Sequence, residues 1–166
     1  MPHHNLYAVL RAGFPADLDT IAVETCDTSA LYYTWRDLER ASARIANLLD
    51  GLGIPAASRI AVHADKSVES LMLYLAVLRA GHVYLPLNTA YQATELGYFI
   101  ADAEPALLVV SADIKSKLAT TTSAKAVPHI TTMEPDGTGS LSEKAATQSP
   151  SCPTTPRAAS DLAALL

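Results

Sequence analysis

The chain is poor in the residue types from which most recognisable sites are built. Two cysteines, Cys26 and Cys152, stand far apart among 166 residues. That spacing argues against a disulfide framework and for two reduced thiols. Lysine and arginine number 12 against 17 aspartates and glutamates, for a net charge of −5. No basic stripe breaks that acidic balance, so nucleic acid is not an expected partner. The longest apolar run, Leu71–Leu78, falls far short of the roughly 20 residues a bilayer-spanning helix needs. Met1–Asn5 does not open a basic-then-apolar leader. No membrane partner is expected, and the expected location is cytoplasmic.

Motif absences narrow the chemistry further. There is no G-x-x-x-x-G-K-[ST] phosphate loop, no G-x-G-x-x-G and no G-x-S-x-G elbow. Gly137-Thr138-Gly139-Ser140 follows Pro135-Asp136 and reads as a plain turn. The five histidines (His3, His4, His63, His82 and His129) lack metal-ligand spacing, so no metal site is expected. His63 falls in a predicted strand and reads as a satisfied or edge histidine. Asp102 and Glu104 precede Pro105 and read as a solvated helix end. The residues taken alone show no catalytic group.

What is present is core. Hydrophobic residues make up 49% and charged ones 17%, which is globular and leaves apolar surface to spare. Leu6, Val9 and Leu10 suggest a short helix ending at Gly13. Ile21–Glu24 and Leu31–Thr34 read as strands of a hairpin turning through Asp27–Ser29. Thr34 caps a helix with Asp37 three residues on, and Leu38, Ala41, Ile45, Leu48 and Leu52 share one face. Arg59–His63 is a strand, and Ser67 caps a helix running to Gly81. Val68, Leu71, Met72, Leu73, Leu75, Ala76, Val77 and Leu78 make that helix apolar nearly all round, as for one buried between layers.

Val83–Leu87 is the next strand, and Leu96, Phe99, Ile100 and Ala103 mark a helix beginning near Thr94. Leu107–Ser111 is an unbroken apolar strand of the kind found inside parallel sheets. A weaker helix, Asp113–Ala119, and a strand, His129–Thr132, follow. This alternation predicts an α/β fold built around a mostly parallel sheet. It would occupy residues 1–146. Nine of the 14 residues in 147–160 are Ser, Thr or Pro, which predicts a surface linker. Residues 161–166 read as an apolar strand expected to continue.

Leu78-Arg79-Ala80-Gly81-His82-Val83-Tyr84-Leu85-Pro86-Leu87-Asn88 resembles the second core motif of adenylate-forming enzymes. That superfamily includes acyl-CoA synthetases, luciferases and peptide-synthetase adenylation domains. Tyr33-Thr34-Trp35-Arg36-Asp37-Leu38 resembles its first core motif, in order and about 45 residues earlier. Lys66–Glu69, Leu73–Ala76, Val83–Tyr91, Tyr98–Ile100 and Asp102–Pro105 resemble the malonyl-CoA synthetase branch in particular. So do Pro135–Gly137, Gly139–Leu141 and Asp161–Ala164. His82 stands where a small residue is more usual.

The resemblance implies the N-terminal portion of an acid–CoA ligase. The complete enzyme would join a malonate-like carboxylic acid to CoA, using ATP and Mg²⁺, through an acyl-adenylate. The phosphate loop and catalytic lysine would follow Leu166, so these residues alone are expected to be inactive and to bind none of these cofactors tightly. Asn88, Thr89 and Tyr91 are implied at the rim of a CoA site, although Ala90 replaces the basic residue some relatives carry there. Exposed Leu162, Leu165 and Leu166 would favour self-association. The competing readings are a stand-alone non-catalytic binding or interaction module and the front of an amino-acid-adenylating domain.

Overall fold

The computed structural model describes residues 4–26 and 30–166, so the expected turn at Asp27–Ser29 lies outside the described residues. The chain runs α1 (Leu6–Ala12), β1 (Ile21–Glu24), β2 (Tyr32–Thr34), α2 (Trp35–Gly51), β3 (Arg59–His63) and α3 (Val68–Arg79). It continues through β4 (Val83–Pro86), α4 (Ala93–Ala103), β5 (Leu107–Val110), α5 (Ala112–Leu118), α6 (Thr122–Ala126), β6 (His129–Thr132) and α7 (Ser140–Ala146). Strands β1 and β2 form an antiparallel hairpin. The other four make a parallel sheet in the order β4-β3-β5-β6. The α/β fold expected from the alternation is the one observed.

Strand periodicity sorts the core into two layers. Ile60, Val62, Leu107 and Val109 face α1, α2, α3 and α7. Ala61, Leu108 and Val110 face α4, α5 and α6 on the other side of the sheet. All four residues of β5 are buried, as a strand covered on both faces requires. In α3, Met72, Leu73 and Leu75 through Arg79 are buried, confirming its place inside the molecule.

Local chemistry starts the helices. The Thr34 hydroxyl accepts from the Asp37 amide while the Asp37 carboxylate accepts from the Thr34 amide, a reciprocal cap on α2. Ser67 and Ser70 repeat the device at α3 with a hydroxyl in the carboxylate's place. Two expectations need correcting. His63 is not at an edge: β3 lies between β4 and β5, the side chain is 5% exposed, and Nε2 has no hydrogen-bond partner among the described residues. Helices α6 and α7, only five and seven residues long, were not anticipated.

Residues 147–160 contain no helix or strand, and they are tied down along most of their length. Arg44 Nη1 donates to the carbonyls of Ala146 (2.5 Å) and Gln148 (3.0 Å), and Asn47 Nδ2 to those of Ser149 (2.9 Å) and Ser151 (3.0 Å). The Arg79 guanidinium, 7% exposed, donates through Nε to the Cys152 carbonyl at 3.0 Å and through Nη2 to the same oxygen. Its Nη1 reaches the Tyr7 hydroxyl and the Glu39 carbonyl, each at 3.0 Å. Asn5 Nδ2 bridges the carbonyls of Leu78 (2.7 Å) and Thr155 (2.8 Å). Cys152 itself is buried in the first layer.

Gly81, at φ +75°, lets this strap cross closely: a Cβ there would lie 2.8 Å from the Thr155 methyl. Beyond the strap the chain turns and runs parallel to β4. The Tyr84 amide donates to Ala163 O at 3.0 Å, and the Leu165 amide to Tyr84 O at 2.9 Å. Tyr84 and Ala164 form a single parallel bridge at the outer edge of β4.

Candidate functional site

In a doubly wound parallel sheet, the loops leaving the carboxyl ends of the strands are where ligands bind, near the point at which the winding direction reverses. Here β3 connects to β4 on one side and β5 connects to β6 on the other, so the reversal lies between β3 and β5. Next to it, on the β4 side, the loops that follow β3 and β4 form the walls of an open groove of about 630 Å³. Asp65, Lys66 and Ser70 stand on one wall, and Leu87, Asn88 and Thr89 on the other. Val62 and Tyr84 are part of its floor.

The Asn88 loop holds its shape by local bonds. The Asn88 side-chain oxygen accepts from the Ala90 amide at 3.0 Å, and its backbone carbonyl accepts from the Tyr91 amide at 3.0 Å. Asn88 and Thr89 thus reach the groove together. Tyr91 does not line it: its ring stacks on Phe99 of α4, with centroids 4.8 Å apart and planes 16° apart. Lys66 and Ser70 were not singled out as site residues. The signal that finds them is position, directly after a parallel strand and at the start of a capped helix.

Burial pushes the Tyr84 phenol up to about 12, with the neighbouring Tyr74 adding to the shift, so its hydroxyl remains protonated at neutral pH. The two rings meet edge to face at 5.0 Å. Burial and then Glu69, in the first turn of α3, raise the Tyr33 phenol, whose hydroxyl donates to Glu69 Oε1 at 3.3 Å. Asp102 and Glu104 are exposed around the end of α4 and do not line the groove. No group of three or more His, Cys, Asp or Glu side chains among the described residues is arranged to hold a metal ion. Nor, among those residues, is any helix long and apolar enough to cross a membrane.

Comparison with known proteins decides the family. The family described as AMP-binding enzyme matches residues 17–166. The chain belongs to the AMP-binding enzyme family. Apo MatB from Rhodopseudomonas palustris is 41% identical with a TM-score of 0.90, over 98% of this chain and 32% of that one. Its ATP-bound form superposes with the same score over 99% and 32%. An acyl-CoA synthetase from Brucella canis is 25% identical with a TM-score of 0.77, over 90% and 28%. The hybrid PKS-NRPS synthetase pydA from an Acremonium species is 30% identical over 140 residues, which is 84% of this chain and 3% of that protein.

The chain therefore spans about a third of those structural relatives and a small part of the synthetase pydA. Within this family its α/β core corresponds to the N-terminal part of the fold. The parallel sheet and the capped helix α3 beside the groove belong to that shared framework.

Proposed function

We propose that these residues form the scaffold of an ATP-dependent acid–CoA ligase acting on a small, malonate-like carboxylic acid in the cytoplasm. The observation that supports this reading is the 41% identity to MatB over 98% of the chain, together with the hydrogen-bonded docking of residues 161–166 beside β4. The complete enzyme converts the acid, ATP and CoA to acyl-CoA, AMP and diphosphate. Residues 1–146 are its α/β body, 147–160 the strap, and 161–166 the strand that leads toward the phosphate-binding loop.

The cofactors fit these residues unequally. A triphosphate needs a loop of convergent amides or a lysine-bearing phosphate motif, and the sequence has none. Magnesium needs oxygen ligands in an octahedral arrangement, and the described residues offer no acidic cluster. Neither ATP nor Mg²⁺ is assigned to side chains of this chain. The groove suits the nucleotide end of CoA better. Lys66 presents a cation and Asn88 and Thr89 present polar groups across about 630 Å³. We assign Asn88 and Thr89 to the rim of that site, with Tyr91 bracing the loop from behind through Phe99.

A second reading, the front of an amino-acid-adenylating domain, is favoured by the match to the synthetase pydA. A stand-alone module that binds without catalysis is the third. One assay separates them. A protein carrying these residues, together with the remaining two-thirds that its structural relatives possess, is tested for pyrophosphate release with malonate and with each amino acid. Malonate-dependent release with malonyl-CoA formation supports the ligase, and amino-acid-dependent release transfers the assignment to adenylating domains. Release with neither overturns both. Residues 1–166 alone are expected to release none.

A further inference from the structure

His82 occupies the turn between α3 and β4, and its side chain is not used by the groove or by any motif. The residue is 5% exposed, and its buried Nδ1 has no hydrogen-bond partner among the described residues. It lies beside a cavity of about 220 Å³, walled by Asn5, Leu78 and Gly81 on one side and by Arg157, Asp161 and Ala163 on the other. The second wall is the segment that carries the chain from the strap to its place beside β4. We propose that His82 is a proton-sensitive latch: protonation of its ring lifts residues 157–166 off β4 while the four-stranded sheet stays intact.

Arg157, paired with Asp161 at 3.2 Å, lines the same cavity from the segment. Asp50 at the end of α2 is the acidic group acting on the ring, and His4 lines the same cavity from before α1. Burial holds the imidazole below its ordinary value; Asp50 raises it part of the way back, and Arg157 lowers it. A proton on this ring therefore creates a buried cation without a hydrogen-bond acceptor at Nδ1, next to a second cation. Water must reach the ring to stabilise that charge.

The least-secured wall yields first. The inner wall is the end of α3, fixed by the Arg79 and Asn5 hydrogen bonds. The outer wall is held to the body by the His4–Arg157 backbone bond and the single bridge at Ala164, while the Arg157–Asp161 pair lies within the segment itself. Thr155, donating to the Arg79 carbonyl at 2.9 Å, remains tied and forms the hinge. The sign is that of a depressed histidine. Docking is complete above the ordinary pKa of about 6.5 and is lost as pH falls through the lower folded value.

Backbone amide exchange of residues 1–166 between pH 7.5 and 5.0, corrected for intrinsic rates, tests this. The Leu165 and Tyr84 amides, which bond across the bridge, should lose protection at least tenfold at the acidic end. The Val62 and Val109 amides, inside the sheet, should change less than twofold. In His82→Ala and in His82→Gln the acid loss at Leu165 and Tyr84 should vanish. The proposal fails if both variants keep the loss, if protection at Leu165 and Tyr84 does not depend on pH, or if the sheet amides fall in parallel. It stands whether or not the ligase reading holds, because no step of it involves substrate.

Discussion

The two faces of the sheet are built on different terms. The face toward α4, α5 and α6 closes with apolar side chains such as Leu85, Leu96, Ile100, Leu108 and Leu118, and His63, which alternation also places there, is buried on it without a tie to any irregular segment among the described residues. The face toward α1, α2, α3 and α7 has a larger apolar cluster and also buries Asn5, Ser42 and Arg79. The polar residues are there because that face receives an irregular segment of chain. Helices supply one another with apolar ridges, but a strap without secondary structure brings bare carbonyls, and buried carbonyls need donors. Arg79 meets this need without a carboxylate partner among the described residues.

Removing that donor has the largest expected effect. Arg79→Met leaves the Cys152 carbonyl, the Tyr7 hydroxyl and the Glu39 carbonyl short of a partner. It should lower stability by about 3–5 kcal/mol in urea titration, since removing one member of a buried polar set strands the others. The Cys152 thiol, buried in the native chain and pushed upward by burial, should become reactive to a disulfide reagent in the same variant. Leu108→Ala, on the other face at a fully buried position, should lower stability by about 2–4 kcal/mol through lost transfer energy and cavity formation. It should leave Cys152 protected. If both variants expose Cys152 equally, the two faces are one cooperative unit and the distinction collapses.

The smallest effect sharpens the picture at the edge of the first face. Thr34→Ala removes the reciprocal cap of α2 and should lower stability by about 1 kcal/mol at pH 7. The Thr34 hydroxyl and amide hold the Asp37 carboxyl below its usual range. A depressed carboxylate contributes stability above its unfolded pKa, near 4, and loses it as pH falls through the lower folded value. The difference between native chain and variant should therefore shrink between pH 5 and pH 2.5, as read from denaturant midpoints.

Most of the framework was legible because it rests on local pattern. Strands β3 and β6 and the caps of α2 and α3 follow from runs of apolar residues and from Thr34 and Ser67. Helix α7 was not legible. Only Leu141 and Ala145 of its seven residues are buried, and it starts at Gly139 without a side-chain cap. Two contacts four residues apart are too few to reveal a period. His63 shows a second limit, since strand alternation gives the face of a side chain and says nothing of whether the strand is central. The groove was half legible: the resemblance pointed to Asn88 and Thr89, whereas Lys66 emerges only when the ends of β3 and β4 are side by side. Arg79 reads as an ordinary last-turn cation, because its acceptor lies 73 residues away.

The strap also explains its own composition. Arg44, Asn47, Asn5 and Arg79 all address its main-chain oxygens, and every amino acid carries one. Over Gln148–Ser151 the fold therefore asks only for a chain of the right length, and the letters there can drift without loosening the hold. A tract that reads as uninformative Ser, Thr and Pro is free to be so because recognition has been moved onto the helices beneath it. Such a tract is a natural place to write in a label or a recognition tag, provided its length is kept.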